Sequence, residues 1–182
     1  MKNLISLKQF LLLFFFVAIY FISSGQKLSG DESQLYDLVM AYRKSKGLPK
    51  IPLSRSLTFV AQTHAQDLED NYVRNTECNY HSWSDQGNWK PVCYTADHAQ
   101  AKLMWSKPQE LTSYKGNGYE IAFAADEEYL ADPKYALQGW KLSKPHNAVI
   151  LNKDKWKRKW NAIGIGMNGS FAVIWFGNEI DK

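Results

Sequence analysis

The end of the chain carries two apolar segments, 162–167 and 170–176, separated by Asn168-Gly169. Asn-Gly between apolar runs is the strongest short-range signal for a two-residue type I′ turn, because both residues tolerate a positive φ. The pattern therefore predicts that the chain closes as an antiparallel hairpin. Helical patterns alternate with a few strand patterns before it, which favours one domain built of α/β/α layers.

Two amphipathic helices are predicted in the first half of the chain. Ser29 and Glu32 have the spacing of a capping box, and Gly47 suits a left-handed helix end. A second helix is predicted to begin near Ser54 and to end before the polar run at Asn75. Its apolar face repeats every three or four positions and comprises Leu57, Val60, Ala61, His64, Ala65 and Leu68.

The middle of the chain is predicted to be less regular, because it contains glycine, proline and polar runs. The expected elements are, in order, an irregular segment 75–96, a short helix capped by Asp97 and running to Trp105, a loop over 106–118, a strand over 119–124, and a helix opened by Asp132-Pro133 and running to Trp140, interrupted by Pro145.

The N-terminus has the three parts of a secretory signal. Lys2 and Lys8 are basic, residues 10–22 are apolar, and Ser23-Ser24-Gly25 supplies small residues for cleavage. The alternative is an uncleaved membrane anchor, but the apolar run spans only about 20 Å as a helix against roughly 30 Å of hydrocarbon. We expect a signal peptide over 1–25 and one mature domain over 26–182, secreted or periplasmic, with no stable membrane anchor after cleavage. The residue directly after Gly25 is Gln26 and not a cysteine, which argues against a lipid anchor.

Charge and cysteine content limit the possible functions. The net charge of +4 falls to +2 once Lys2 and Lys8 are removed, which is too small for a general nucleic-acid binder. Cys78 and Cys93 are the only cysteines, and in an exported protein we expect them to form a disulfide rather than two buried thiols. Such a bridge contributes about 3 kcal/mol in the chain-entropy description.

Four histidines are candidates for chemistry, because imidazole is both the commonest metal ligand and the usual acid or base near neutral pH. His64 lies on an apolar helix face and is expected to be a hydrogen-bonded core residue. His98 begins a predicted short helix and is expected to cap it or to lie on the surface. His81 and His146 lie beside turn residues, where binding groups concentrate, and are the better candidates for a joint site.

Six segments, taken in order, resemble the CAP/SCP superfamily of cysteine-rich secretory, antigen 5 and pathogenesis-related proteins. The resemblance covers nearly the whole predicted mature chain, in the form found in secreted bacterial members. The segments are Tyr42-Arg43-Lys44-Ser45-Lys46-Gly47-Leu48-Pro49, His64-Ala65-Gln66-Asp67-Leu68, His81-Ser82, Gly118-Tyr119-Glu120-Ile121-Ala122, the stretch from Gly139-Trp140 through Pro145-His146 to Ile150-Leu151, and Ile163-Gly164-Ile165-Gly166 with the last strand.

The resemblance implies an α+β fold, a three-layer α-β-α sandwich with a small, mainly antiparallel sheet. It also implies a cleft where two histidines and two glutamates meet, and in some members the histidines bind a divalent metal. By position, His81 and His146 match the two histidines.

The two glutamates of the family pattern do not match this sequence. The first falls at Tyr119, with Glu120 one residue late, and the second falls at Ser143. A shift of one residue on a strand turns a side chain to the opposite face. Either a bulge re-aims Glu120, or Tyr119 supplies the polar group.

Two classes of function follow. The first is a non-catalytic binding module that holds an unknown apolar, cell-envelope or polymeric ligand. The second is a hydrolase of peptide or ester bonds that uses a divalent metal such as zinc at His81 and His146, with Glu120 as the nearest acid in sequence. A serine mechanism would use Ser82 or Ser143, but adjacency in sequence does not indicate the required side-chain contact. The missing carboxylates favour the binding module.

Two further patterns each allow a binding role and a structural one. The aromatic side chains of the middle segment either line a groove for sugars or apolar ligands or pack under long loops. Residues 153–159 hold four lysines and Arg158, with Trp156 and Trp160 beside them. This run either faces an anionic polymer or lipid, or is a solvated surface. The aromatic set is Trp83, Trp89, Tyr94, Trp105 and Tyr114.

Overall fold

The computed structural model describes residues 27–74, 77–126 and 128–182, so the predicted signal peptide lies outside the described residues. The elements in chain order are α1 (Gly30–Ser45), α2 (Arg55–Asn71), α3 (Ala101–Trp105), α4 (Lys107–Leu111), β1 (Gly118–Ala124), α5 (Pro133–Leu142), α6 (Lys144–Ile150), a 3₁₀ turn (Asp154–Trp156), β2 (Ala162–Asn168) and β3 (Phe171–Gly177).

The ends of α1 and α2 form as the local sequence predicts. Ser29 accepts a hydrogen bond from the Glu32 N–H, and the Glu32 carboxylate accepts one from the Ser29 N–H, which completes the capping box. Gly47 has φ of 72° after the end of α1. Ser54 caps α2 by accepting from the Leu57 N–H at 2.9 Å.

The sheet has the strand order β1-β3-β2, and both pairings are antiparallel. β2 and β3 form the predicted hairpin, but the turn lies one residue later than the sequence indicates. Asn168 pairs with Phe171, so the loop residues are Gly169 and Ser170. Within the described hairpin only Gly169 has a positive φ, 51°, which suits a type II′ turn rather than type I′. Glu69 fixes this turn, because its carboxylate accepts from the Ser170 N–H at 2.9 Å.

Helices cover both faces of the sheet, which gives the three-layer α-β-α sandwich of an α+β protein. α2 packs on β2 and β3, while α1 contacts α5 and β2, and α5 contacts β1. Two glycines allow α2 to lie directly on β2, because a Cβ at Gly164 or Gly166 would lie 2.0–2.2 Å from the backbone of Leu57 or Ala61. Each interlayer space holds its own apolar core, one around Val39, Ile121, Trp140, Ile165 and Ile174, the other around Leu57, Ala61, Trp83, Val173 and Trp175.

The segment between α2 and β1 departs from the predicted pattern. Asp97 does not cap α3, because the N-cap residue of α3 is Gln100. The Asp97 carboxylate instead accepts hydrogen bonds from the Ala99 N–H and the Thr95 hydroxyl. The predicted loop over 106–118 contains α4, in which Pro108 occupies the first turn, where a missing N–H is tolerated. Pro145 follows the end of α5, as predicted, and also lies in the first turn of a second helix, α6, as Pro108 does in α4.

The predicted disulfide between Cys78 and Cys93 is confirmed, and it closes the irregular segment onto itself with the Cα atoms 4.9 Å apart. In the described part of the chain, no helix has the length and apolar character that crossing a membrane requires.

Candidate functional site

A buried carboxylate on β1 joins two of the four histidines. Glu120 is 7% exposed, and its two oxygens lie 2.5 Å from Nδ1 of His64 and 2.7 Å from Nδ1 of His81. His64 is fully buried on α2, and its ring stacks on Trp83 with the centroids 4.2 Å apart. The prediction that His64 is a hydrogen-bonded core residue is confirmed, but this core residue also contacts the acid of the candidate site.

The hydrogen bonds of His64 engage both of its ring nitrogens. Nε2 of His64 is 2.8 Å from the Ser82 carbonyl oxygen, which only accepts, so Nε2 donates. Nδ1 of His64 and Nδ1 of His81 face the two oxygens of Glu120. Nε2 of His81 is therefore the ring nitrogen that does not contact Glu120.

The environment of Glu120 favours the ionised carboxylate. Burial alone would raise its pKa, but the charge and hydrogen bond of His64, together with those of His81, outweigh burial and hold the pKa below the usual value. Because the two imidazoles occupy both oxygens, the carboxylate has a positioning role for His81.

His146 lies across from His81 in the first turn of α6, with the ring centroids 6.5 Å apart and the planes at 63°. Burial lowers the pKa of His146 to about 4, helped by the nearby His81 and partly opposed by Glu120. At neutral pH its imidazole is therefore neutral, which is the form that binds metals. The structure thus brings His81, Glu120 and His146 together.

These side chains lie in a cleft of about 400 Å³ that also has an aromatic wall. Tyr119 is at the centre of this wall, with ring centroids 5.7 Å from Trp105 and 5.0 Å from Trp156. The polar part of the lining consists of Asn79, His81, Tyr94, His98, Glu120, His146 and Lys155.

Of the two alternatives for Glu120 and Tyr119, the bulge is contradicted by the strand pairing. β1 pairs residue by residue with β3 from Gly118 to Ala124, so no bulge re-aims Glu120, yet Glu120 itself reaches His81. Tyr119 borders the cleft with its aromatic ring. Both neighbours reach one cleft because β1 is an edge strand, around which side chains from opposite faces can meet.

The remaining candidates lie elsewhere or are already engaged. Ser143, where the resemblance implies a second glutamate, links α5 to α6 and does not line the cleft. Ser82 is buried, and its hydroxyl accepts from the Tyr94 N–H at 2.9 Å. His98 is exposed as expected but caps no helix; its Nδ1 lies 2.8 Å from the Tyr94 hydroxyl at the edge of the cleft.

The aromatic residues of the middle segment divide between the two expected roles. Trp83 and Tyr114 are buried in the core beneath α2, and half-buried Trp89 packs against Trp83. Tyr94 and Trp105 line the cleft. The other half of the aromatic wall comes from Tyr119 and Trp156, whose meeting depends on packing and has no signal in the local sequence.

The donor set fits a metal ion only in part. Two imidazoles converge, and the carboxylate behind His81 resembles the partner that usually orients a metal-binding histidine. However, no group of three or more histidine, cysteine, aspartate or glutamate side chains within the described ranges has a geometry that could hold a metal ion. Neither a four-ligand structural zinc site nor a three-ligand catalytic one fits the described residues, and the two imidazoles are the donors that approach each other here.

The layered fold and the histidine-lined cleft define a domain of the cysteine-rich secretory type. The sequence profile of this family, described as the cysteine-rich secretory protein family (CAP), matches residues 36–168. The chain belongs to this family. A comparison with curated proteins gives no match.

Solved structures share the fold at low sequence identity. An extracellular protein containing an SCP domain from Bacillus anthracis aligns with TM-score 0.57 and 21% identity, over 82% of this chain and 41% of that one. A cysteine-rich secretory protein of Staphylococcus aureus aligns with TM-score 0.52 and 17% identity, over 82% of this chain and 38% of that one. An outer surface protein of Borrelia burgdorferi aligns with TM-score 0.55 and 16% identity, over 84% of this chain and 93% of that one. The chain thus spans about two fifths of the first two relatives.

Proposed function

We propose that the protein is an exported binding module whose cleft holds one ring-bearing unit of a cell-envelope ligand, such as a sugar. Export is supported by the signal-like N-terminus, by the disulfide, which persists in oxidising compartments, and by structural relatives described as extracellular or outer-surface proteins. The observation that carries the binding role is the cleft itself, which combines an aromatic wall with a polar end.

The two sides of the cleft suit the two sides of a sugar ring. Trp105 and Trp156 offer half-buried aromatic faces for the apolar face of the ring, and Tyr119 lies between them. Asn79, His98 and His146 offer hydrogen bonds to its edge. A volume of about 400 Å³ lies within the range of small-ligand sites.

The test is calorimetric titration with chitotetraose, an oligomer of N-acetylglucosamine. Trp105→Ala and Trp156→Ala should each weaken binding about tenfold, or about 1.4 kcal/mol. The matched control is Tyr135→Ala, which removes an exposed ring that does not line the cleft and should leave binding unchanged. An equal loss of affinity in the control variant would contradict the cleft as the binding site. If the protein binds dodecanoate but not chitotetraose, the ligand is apolar and not a sugar.

The second candidate is a divalent-metal-dependent hydrolase, favoured by the approach of His81 and His146 and by the carboxylate behind His81. A metal held there would supply a bound water of lowered pKa. Glu120 is a poor base for such a water, because it is buried and each of its oxygens already contacts a histidine. This occupation favours the binding module.

Zinc titration separates the two functions. Micromolar binding that is lost in His81→Ala and in His146→Ala, but kept in His98→Ala, would support the metal site. Turnover of a peptide or ester by the wild type alone would favour the hydrolase. Absence of zinc binding by the wild type would exclude the metal-dependent hydrolase.

A further inference from the structure

Positive charge is concentrated in one stretch of the chain. Residues 141–159 contain six lysines and Arg158 against a single acid, Asp154, for a net charge of +6. The mature chain over 26–182 has a net charge of only +2, so the remainder of it is at −4. Such a separation of charge is unlike an evenly mixed solvated surface and creates a local field for anions.

Part of this charge lines a concave surface, called here the lysine groove. It has a volume of about 340 Å³ and lies beside the junction of α5 and α6. Three exposed lysines border it, and among the described residues that line it Asp154 is the one acid. The groove is lined by Lys141, Leu142, Lys144, Asn147, Ala148, Lys153 and Asp154.

The three lysines keep their charge available. In the part of the chain that the structure describes, ion pairs with carboxylates involve other side chains, such as Arg158 with Glu179 at 3.9 Å. Lys141 is held in place by an aromatic face, since its Nζ lies 5.0 Å from the ring centroid of Tyr42. An incoming anion would therefore displace no carboxylate of the described residues from these three ammonium groups.

The segment that carries Lys153 is fixed by a buried arginine and an asparagine. Arg43 is 1% exposed and donates to the Asn152 side-chain oxygen at 2.8 Å. The Asn152 amide in turn donates to the carbonyl oxygens of Trp156 and Arg158, at 3.1 and 2.6 Å, with Asn152 at φ of 51°. Non-glycine residues at positive φ persist where the surroundings hold them, so Lys153, next to Asn152, lies on a pre-organised segment.

We propose that the lysine groove binds a flexible polyanion with repeated phosphate groups. Lysine ammonium groups act as point charges toward phosphate and tolerate its varied orientation along a chain. A concave groove between two helices fits a single extended chain, whereas a lipid bilayer needs a flat or convex face. α6 and the 3₁₀ turn form the wall between the groove and the cleft, so Lys155 continues the charge on the cleft side.

The test uses inorganic polyphosphate of medium chain length as the probe, which has no ring to enter the cleft. Its affinity for the mature protein is measured by calorimetry between about 50 and 200 mM salt, over which binding that depends on phosphate contacts weakens steeply. The variant is the triple substitution Lys141→Gln, Lys144→Gln, Lys153→Gln. The matched control, Lys27→Gln, Lys102→Gln, Lys134→Gln, removes the same charge from exposed lysines that line neither concavity.

The groove variant should weaken polyphosphate binding at least about tenfold and flatten the dependence of affinity on salt, while the control changes affinity by less than about twofold. Equal weakening in both triples would show a diffuse charge effect and overturn the proposal. Absence of wild-type binding at low salt would also overturn it. Binding to phosphatidylglycerol vesicles that depends on these lysines, without polyphosphate binding, would assign the surface to a membrane instead.

Discussion

Glu120 on the edge strand and His64 on α2 form a hydrogen bond of 2.5 Å inside the layer between the sheet and the helix. The bond ties the candidate site to the core, because the same carboxylate orients His81 at 2.7 Å. A disturbance of the core at α2 should therefore be transmitted to the cleft through a single side chain.

The first prediction concerns this pair. His64→Ala should lower the free energy of unfolding by about 3 kcal/mol, because it leaves one oxygen of the buried Glu120 carboxylate without its partner and only His81 on the other. Glu120→Gln should cost less, since the amide still offers an oxygen to one histidine. Urea unfolding followed by tryptophan fluorescence measures both values.

A double-mutant cycle provides the control. The double variant should be more stable than the sum of the single losses implies, by at least about 1 kcal/mol, because it no longer holds a buried negative charge that has lost the His64 partner. Additive losses would show that the two side chains act independently and would contradict the coupling.

Local signals are enough to predict part of this fold. The capping box of Ser29 and Glu32, the Ser54 cap and the glycine after α1 depend on neighbours within a few residues, so the sequence alone places the first two helices. The hairpin also follows from sequence, but its turn does not, because Glu69 from α2 accepts from the Ser170 N–H and selects Gly169-Ser170 as the loop.

The candidate site depends on contacts that no local pattern contains. The apolar neighbours of His64 predict its burial, yet its carboxylate partner is 56 positions away in the chain. By alignment with the family pattern, the first glutamate falls at Tyr119 and not at Glu120. This alignment excludes Glu120 only if side chains on opposite faces of a strand cannot reach the same site. At an edge strand they lead to one cleft, and that position in the sheet is visible only in the fold.

The second prediction concerns the disulfide. The mature protein isolated without reductant should gain two daltons on reduction, and reduction should lower its free energy of unfolding by about 3 kcal/mol for a bridge between residues 15 apart. Intact-mass measurement and urea unfolding with and without reductant check these values. The Cys78→Ser, Cys93→Ser variant should match the reduced protein, and alkylation of free thiols in the unreduced protein would contradict the bridge.

The third prediction concerns the contact of α2 with β2. Gly166→Ala should lower the free energy of unfolding by about 2–3 kcal/mol, because its Cβ would lie 2.2 Å from the backbone of Ala61 and neither backbone can yield locally. Gly30→Ala is the matched control, since a Cβ there meets nothing within 4 Å at the start of α1. It should leave stability unchanged or slightly raised. Similar losses in both variants would exclude the close approach as the cause.

The fourth prediction concerns Asp181 near the C-terminus, whose carboxylate caps the N-terminus of α2 although it is distant in sequence. Asp181 accepts from the Ser56 N–H at 2.9 Å and from the Ser54 and Ser56 hydroxyls at 2.7 and 2.8 Å, so its carboxylate lies at the N-terminus of α2. A negative charge there is stabilised by the helix dipole. Asp181→Ala should therefore lower the free energy of unfolding by about 1–2 kcal/mol at pH 7.

The pH dependence identifies the charge as the cause. Burial alone would raise the pKa of Asp181, but the hydrogen bonds from Ser56 and Ser54 hold the pKa below its ordinary value of 3.8. Because the folded pKa is depressed, the stabilisation is complete above pH 3.8 and is lost as the pH falls through the folded value. The difference in stability between wild type and Asp181→Ala should therefore shrink on acidification, as measured by urea unfolding at a series of pH values. A difference that stays constant down to pH about 2 would mean that the side chain acts through packing and not through its charge.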